Sequence, residues 1–175
     1  MATIISRPEI QQLDEYQQRY ISLVPASMHL TEALDFSYHE LERCLANISE
    51  EKSMYRYQPG KWSIKTMILH LADAERVFQY RALSIARGVT ENLIGFDEDG
   101  FAANSYADQL SFQEIIREYH TVAMGFKYLF ENLQEKTWTR VGLANHIQVS
   151  AAGIGFIAAG HRLHHAGVLK ERYLH

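Results

Sequence analysis

Nine histidines occur in this 175-residue chain. An imidazole turned toward an apolar core must satisfy two ring nitrogens, which aliphatic neighbours cannot do. They stand at positions 29, 39, 70, 120, 146, 161, 164, 165 and 175. In the segment AAGHRLHHAGVLKERY, His161 and His165 lie four residues apart, the spacing that aims two helical side chains at one point. Taking about 100° per residue with His161 at zero, Ile154 falls near +20°, Ile157 near −40°, Ala158 near +60° and Val168 near −20°. The apolar face is therefore centred on His161. His165 lies at about +40° and His164 at about −60°, so His165 sits more squarely on that face. His70 follows Met67 by three residues and precedes Ala74 by four, so it also faces inward.

Three inward imidazoles from two helices can hold one divalent metal ion and leave a coordination position open, the arrangement of a catalytic rather than a closed structural site. The sequence thus nominates His70, His161 and His165 as metal ligands. The alternative is that each is a core histidine bonded to a carbonyl or a buried hydroxyl. An i,i+4 pair on one apolar face, joined by a third inward histidine, weighs against that alternative. Ala159 and Gly160 are small enough to leave room beside the pair. Asp73, three residues after His70, can orient an imidazole from behind or face solvent beside Arg76. Glu75 and Arg76 read as surface charges. His120 lies just off its helix's stripe and reads as a surface residue within reach of the site rim. His29, His39, His146 and His175 read as surface or loop residues.

Other chemistries lack their residues. The zincin motif requires Glu directly after its first histidine, where this chain has Arg162. A di-iron carboxylate centre requires Glu three residues before its histidines, and none of the nine has an acidic residue there. There is no GxSxG elbow, P-loop or GxGxxG fingerprint.

The elements that must carry these histidines follow from apolar spacing. A short amphipathic segment spans Glu9 to about Ile21, followed by a break at Pro25. Leu30, Leu34, Tyr38, Leu41, Leu45 and Ile48 mark a helix, capped by Ser27 or Thr31 and ending near Glu51. Pro59 and Gly60 interrupt the pattern, and Ser63 can cap a second helix whose apolar face runs from Ile64 to Ile85 and stops before Gly88. Residues 88–110 show no sustained period and are expected to pack over the bundle or line a site. Ser111 and Glu114 form a capping box for a third helix, with Ile115, Tyr119, Val122, Phe126, Leu129 and Leu133 as its stripe. A mixed loop over 134–149 precedes a last helix capped by Ser150. No β-alternation or internal repeat is evident. The expected fold is all-α, a four-helix bundle with a long crossover connection and an extra N-terminal helix.

Composition narrows the function. A net charge of −4 gives no basic field for nucleic acid or anionic lipid, so neither partner is expected. A single cysteine, Cys44, rules out an intramolecular disulfide and a thiolate-rich zinc site. The N-terminal residues lack a signal-peptide core, and no apolar run approaches the roughly 18 residues of a membrane span. A cytoplasmic location is the expectation.

The run WSIKxxIxHLADAE in the second helix, paired with AGHxxHHxxxxxxRY in the last, resembles the DinB superfamily. FDEDGFAANSYADQLSFQEIIREY and WTRVG follow the same group's pattern in order and spacing, so the resemblance covers roughly Leu30 to Leu174. It implies a single DinB-like domain over 1–175, with its core over about 28–174. It also implies homodimers and zinc or nickel held by one histidine of the second helix and an i,i+4 pair of the last: His70, His161 and His165. Some relatives are S-transferases using low-molecular-weight thiols such as bacillithiol or mycothiol, and others are described as metal-dependent hydrolases. The expected activity is a metal-dependent S-transferase acting on a small molecule. A hydrolase and a non-catalytic metal-binding stress-response protein are the alternatives. The expected histidines are ligands, so a general base must come from elsewhere, with Tyr106, Asp73 and the 88–110 segment as candidates.

Overall fold

A computed structural model describes residues 5–174. His175, expected at the surface, lies outside the described residues. Four long helices carry the architecture: α2 (Leu30–Leu45), α4 (Ile64–Ala86), α6 (Phe112–Asn132) and α8 (Ala151–Arg172). They are joined by the short helices α1 (Glu15–Ile21), α3 (Glu50–Ser53), α5 (Glu98–Asn104) and α7 (Glu135–Trp138). The bundle expectation holds, with α1 as the added N-terminal helix. Among the described residues, no helix is long and apolar enough to cross a membrane.

Several boundaries follow the capping chemistry read from the sequence. The Ser63 side chain accepts from the Thr66 N–H at the start of α4, and Ser150 accepts from the Gly153 N–H at the start of α8. At α6, Ser111 and Glu114 form the reciprocal box. The first long helix differs. It begins after His29, whose backbone N–H donates to Glu32, rather than after Ser27 or Thr31. It also ends at Leu45, not near Glu51, because Ser49 caps the separate turn α3. That turn has its own task. Glu50 pairs with the buried Lys65 of α4 and accepts from the Phe112 N–H of α6 at 2.8 Å.

The connections contain a small sheet, where no β-structure was expected. β1 (Asn92–Leu93) runs parallel to β2 (Val141–Ala144), which pairs antiparallel with β3 (Ile147–Ser150). Asn145 and His146 make the hairpin turn with φ of 50° and 65°, the two positive values of a type I′ turn. Strands of two and four residues are too short to show alternation, and an Asn-His turn lacks the glycine that usually announces one. The sheet ties the 88–110 crossover to the segment before α8.

The hydrophobic core falls into two clusters. One joins α1, the C-terminal half of α4 and Ala151–Ala159 of α8; the other joins Ile64–Ala72 of α4 with Ala166–Tyr173. His161, Arg162 and His165 lie on α8 between them, opposite Glu75 on α4. Every residue from Ala151 to Arg162 is buried, because α1 covers the side of α8 turned away from the bundle. Gly160 does not provide room for a ligand, as expected from sequence, but for this helix. A Cβ there would stand 2.1 Å from the Tyr20 carbonyl oxygen.

A second correction concerns Glu75, read from sequence as a surface charge. It is fully buried and forms a bidentate pair with Arg162, at 2.6 Å to Nε and 2.9 Å to Nη2. Arg162 Nη1 donates to the Leu34 carbonyl at 3.0 Å and to Ser37 Oγ at 3.3 Å. The pair thus locks α4, α8 and α2 at the level of the histidines.

Candidate metal centre

His70 reaches the site from α4, and His161 and His165 from consecutive turns of α8. Their Nε2 atoms converge, with His161 Nε2 3.4 Å from His70 Nε2 and 3.2 Å from His165 Nε2. Among the described residues they form a group of ligand atoms able to hold one metal ion. Ligands tetrahedrally placed about 2.0–2.1 Å from zinc stand about 3.3–3.4 Å from one another, so the spacing fits a divalent ion.

The protons also fit that reading. A neutral Nε2 carries either one hydrogen or one lone pair, so His161 Nε2 can bond only one of its two neighbours. Charging the rings is not a remedy. Burial pushes His70 down to about 4, and it drives His161 and His165 well below the ordinary histidine range, with their neighbours' charge adding to the effect. Three neutral imidazoles facing one point are the form that binds a cation.

Ring packing holds the imidazoles in place. Trp62 lies 4.7 Å from His70, while Tyr20 and Phe78 present edges to His161 at 5.3 and 5.8 Å. The Nδ1 atoms of His161 and His165 are buried without a hydrogen-bond partner. Neither ring has the carboxylate or carbonyl that usually orients a metal-binding histidine; His161 packs against Tyr20 and Phe78, and His165 against the rings of His70, His161 and His164. His164, the neighbour set aside on helical geometry, stacks its edge on Tyr20 and His165 instead of joining the cluster.

Asp73 does not bond to a site histidine. It accepts from Arg76 at 3.1 Å, and burial raises its carboxyl despite that partner. His120 bonds the Tyr38 hydroxyl through Nδ1 at 2.6 Å, away from the cluster. Tyr106 is exposed in the left-handed region at φ 53° and lines a neighbouring depression with Asp99 and Trp62. His165 of the cluster, with His164, lines a cavity of about 400 Å³ walled by Trp62, Tyr57 and Tyr173 and edged by Lys61 and Asp99. Sequence reasoning missed Trp62, Tyr20 and Glu75. Trp62 is visible in the WSIK run, but nothing local reports which ring it covers.

The sequence profile of the DinB superfamily matches residues 33–169. Among solved structures, YfiT from Bacillus subtilis superposes with a TM-score of 0.67 at 14% identity, over 82% of this chain and 85% of that one. It is described as "a probable metal-dependent hydrolase with an unusual four-helix bundle topology". At that identity the likeness is one of fold. No curated protein matches the sequence.

Proposed function

This chain belongs to the DinB superfamily, and from that premise we propose that it is a metal-dependent enzyme whose divalent ion is held by His70, His161 and His165. The observation that carries the proposal is the convergence of three neutral Nε2 atoms at 3.2–3.4 Å, with no proton arrangement of their own to satisfy them. A divalent ion there supplies a Lewis-acid centre that lowers the pKa of a thiol or a water brought to it.

The finer reading is a thiol S-transferase acting on a small electrophile. No carboxylate hydrogen-bonds to the cluster among the described residues, and a thiol acidified at the centre needs no strong base from the protein. Zinc or nickel suits a site made only of imidazoles. Trp62 and the tyrosines supply aromatic walls, while Lys61 and Asp99 present opposite charges that orient a polar substrate. The cavity's size suits a small molecule rather than a polymer.

Hydrolysis is the second reading, favoured by Asp99. Its carboxylate lines the cavity and could accept a proton from water. YfiT's description points the same way. The test loads the chelated protein with zinc or nickel and assays a chromogenic electrophile with and without a panel of low-molecular-weight thiols. Product that requires both metal and thiol supports the transferase. Product formed with metal alone, and reduced at least tenfold in Asp99→Asn, supports hydrolysis. No metal-dependent product from either assay would sink the enzymatic reading.

A further inference from the structure

A second cavity, of about 310 Å³, lies against α1, α4 and the N-terminal half of α8 and shares none of the lining residues of the histidine cavity. Arg81 of α4 lines it. The residue is 7% exposed, and Nη2 donates to the Ile94 carbonyl at 2.7 Å, yet its buried Nε–H meets no acceptor. A buried donor left unpaired costs about 1–3 kcal/mol, and more when it is charged, so such groups normally have a partner. The contrast with Arg162, whose Nε is bonded to a carboxylate, shows what this fold does when a buried arginine is purely structural.

We infer that this cavity is a binding site for a small monocarboxylate with an apolar body, its carboxylate accepting from Arg81 Nε and its body held between Phe78, Phe96 and Ile154. A carboxylate oxygen is the strong acceptor that suits a guanidinium Nε–H, and most of the remaining wall is aromatic and aliphatic, with Gln17 and Asn145 as polar exceptions. Glu98 also lines the cavity and is exposed; its carboxyl is raised by burial of part of the group. Glu98 also interacts electrostatically with Arg81, so each further negative charge on the ligand adds repulsion, which favours single carboxylates. Loss of hydration likewise lowers Arg81 from its ordinary range, opposed by Tyr16 and Glu98.

Nitrogen-15 NMR of the Arg81 Nε–H group tests the site. Its cross-peak is assigned by its loss in Arg81→Lys, or by its through-space contact with Ile94 should that variant not fold. Phenylacetate or 3-phenylpropionate should shift the peak saturably, with acetate and 2-phenylethanol at least tenfold weaker. Ile154→Phe, which fills the cavity and leaves Arg81 intact, should weaken binding at least tenfold, while His165→Ala should leave it unchanged. The inference fails if neither aromatic carboxylate moves the peak, or if 2-phenylethanol binds as well. Loss of binding in His165→Ala with retention in Ile154→Phe would place the ligand at the histidines and overturn it as well.

Discussion

His161 and Arg162 are neighbours on one helix and both are buried, yet the protein treats them in opposite ways. Every face of the Arg162 guanidinium that matters is answered: Glu75 takes two bonds, and Leu34 and Ser37 take Nη1. Next to it, the three imidazoles point their Nε2 atoms at one another, and two of their Nδ1 atoms are left bare. A polar group completed by the chain itself fixes the structure, whereas the incomplete cluster is where we propose that a metal ion binds. The completed pair also sets the register of α4 against α8 that lets the incomplete cluster form.

Breaking the completed pair should have the largest effect. Glu75→Ala leaves a buried guanidinium charge without its partner, at a cost of about 3–5 kcal/mol and a fall in Tm on the order of 10 °C. Thermal unfolding checks this, and the double replacement Glu75→Leu with Arg162→Met should recover most of the loss. If the single variant were neutral, the pair would not be structural.

Completing the incomplete cluster comes next. Zinc at 100 times its Kd should raise stability by about 2.7 kcal/mol through binding to the native state alone. His161→Ala should abolish that increment, as read by urea titration with and without metal, and a full increment in the variant would remove His161 from the ligands.

Acid should separate the two regions further in chelated protein. His70 keeps a native value of about 4, below the ordinary 6.5 of an unfolded chain. Between those values the unfolded state takes up a proton that the native state does not, so stability falls as pH falls through this window. For His70 alone the loss from pH 7 to pH 5 is about 2 kcal/mol, and His161 and His165, depressed in the same direction, steepen it. Urea midpoints at the two pH values measure the slope, which should flatten in His70→Ala. The smallest effect belongs to Asp73→Asn. Because Asp73 bonds Arg76 and not an imidazole, metal affinity should change less than twofold and stability by less than about 0.5 kcal/mol.

Much of the site was legible because helical spacing is a local rule. Ser63, Ser111 with Glu114, and Ser150 fixed three helix starts, and the 100° step favoured His165 over His164. The end of α2 at Leu45 was missed because the apolar stripe continues to Ile48, while the turn that follows depends on Glu50 reaching Lys65 and Phe112 in other elements. Glu75 was misread for the same kind of reason. A charged residue in a helix looks like a surface residue until its partner 87 positions away is known.

The sequence by itself determined that this chain makes long helices and that three imidazoles face their apolar sides, since periodicity and capping act over a few residues. Only the tertiary structure decided that those imidazoles meet at 3.2–3.4 Å, because that distance depends on how α4 and α8 pack. It also decided that Trp62, Tyr20 and Phe78 wall the cluster, and that Gly160 serves the Tyr20 backbone rather than a ligand. Those contacts join residues far apart in the chain, and no local pattern carries their geometry.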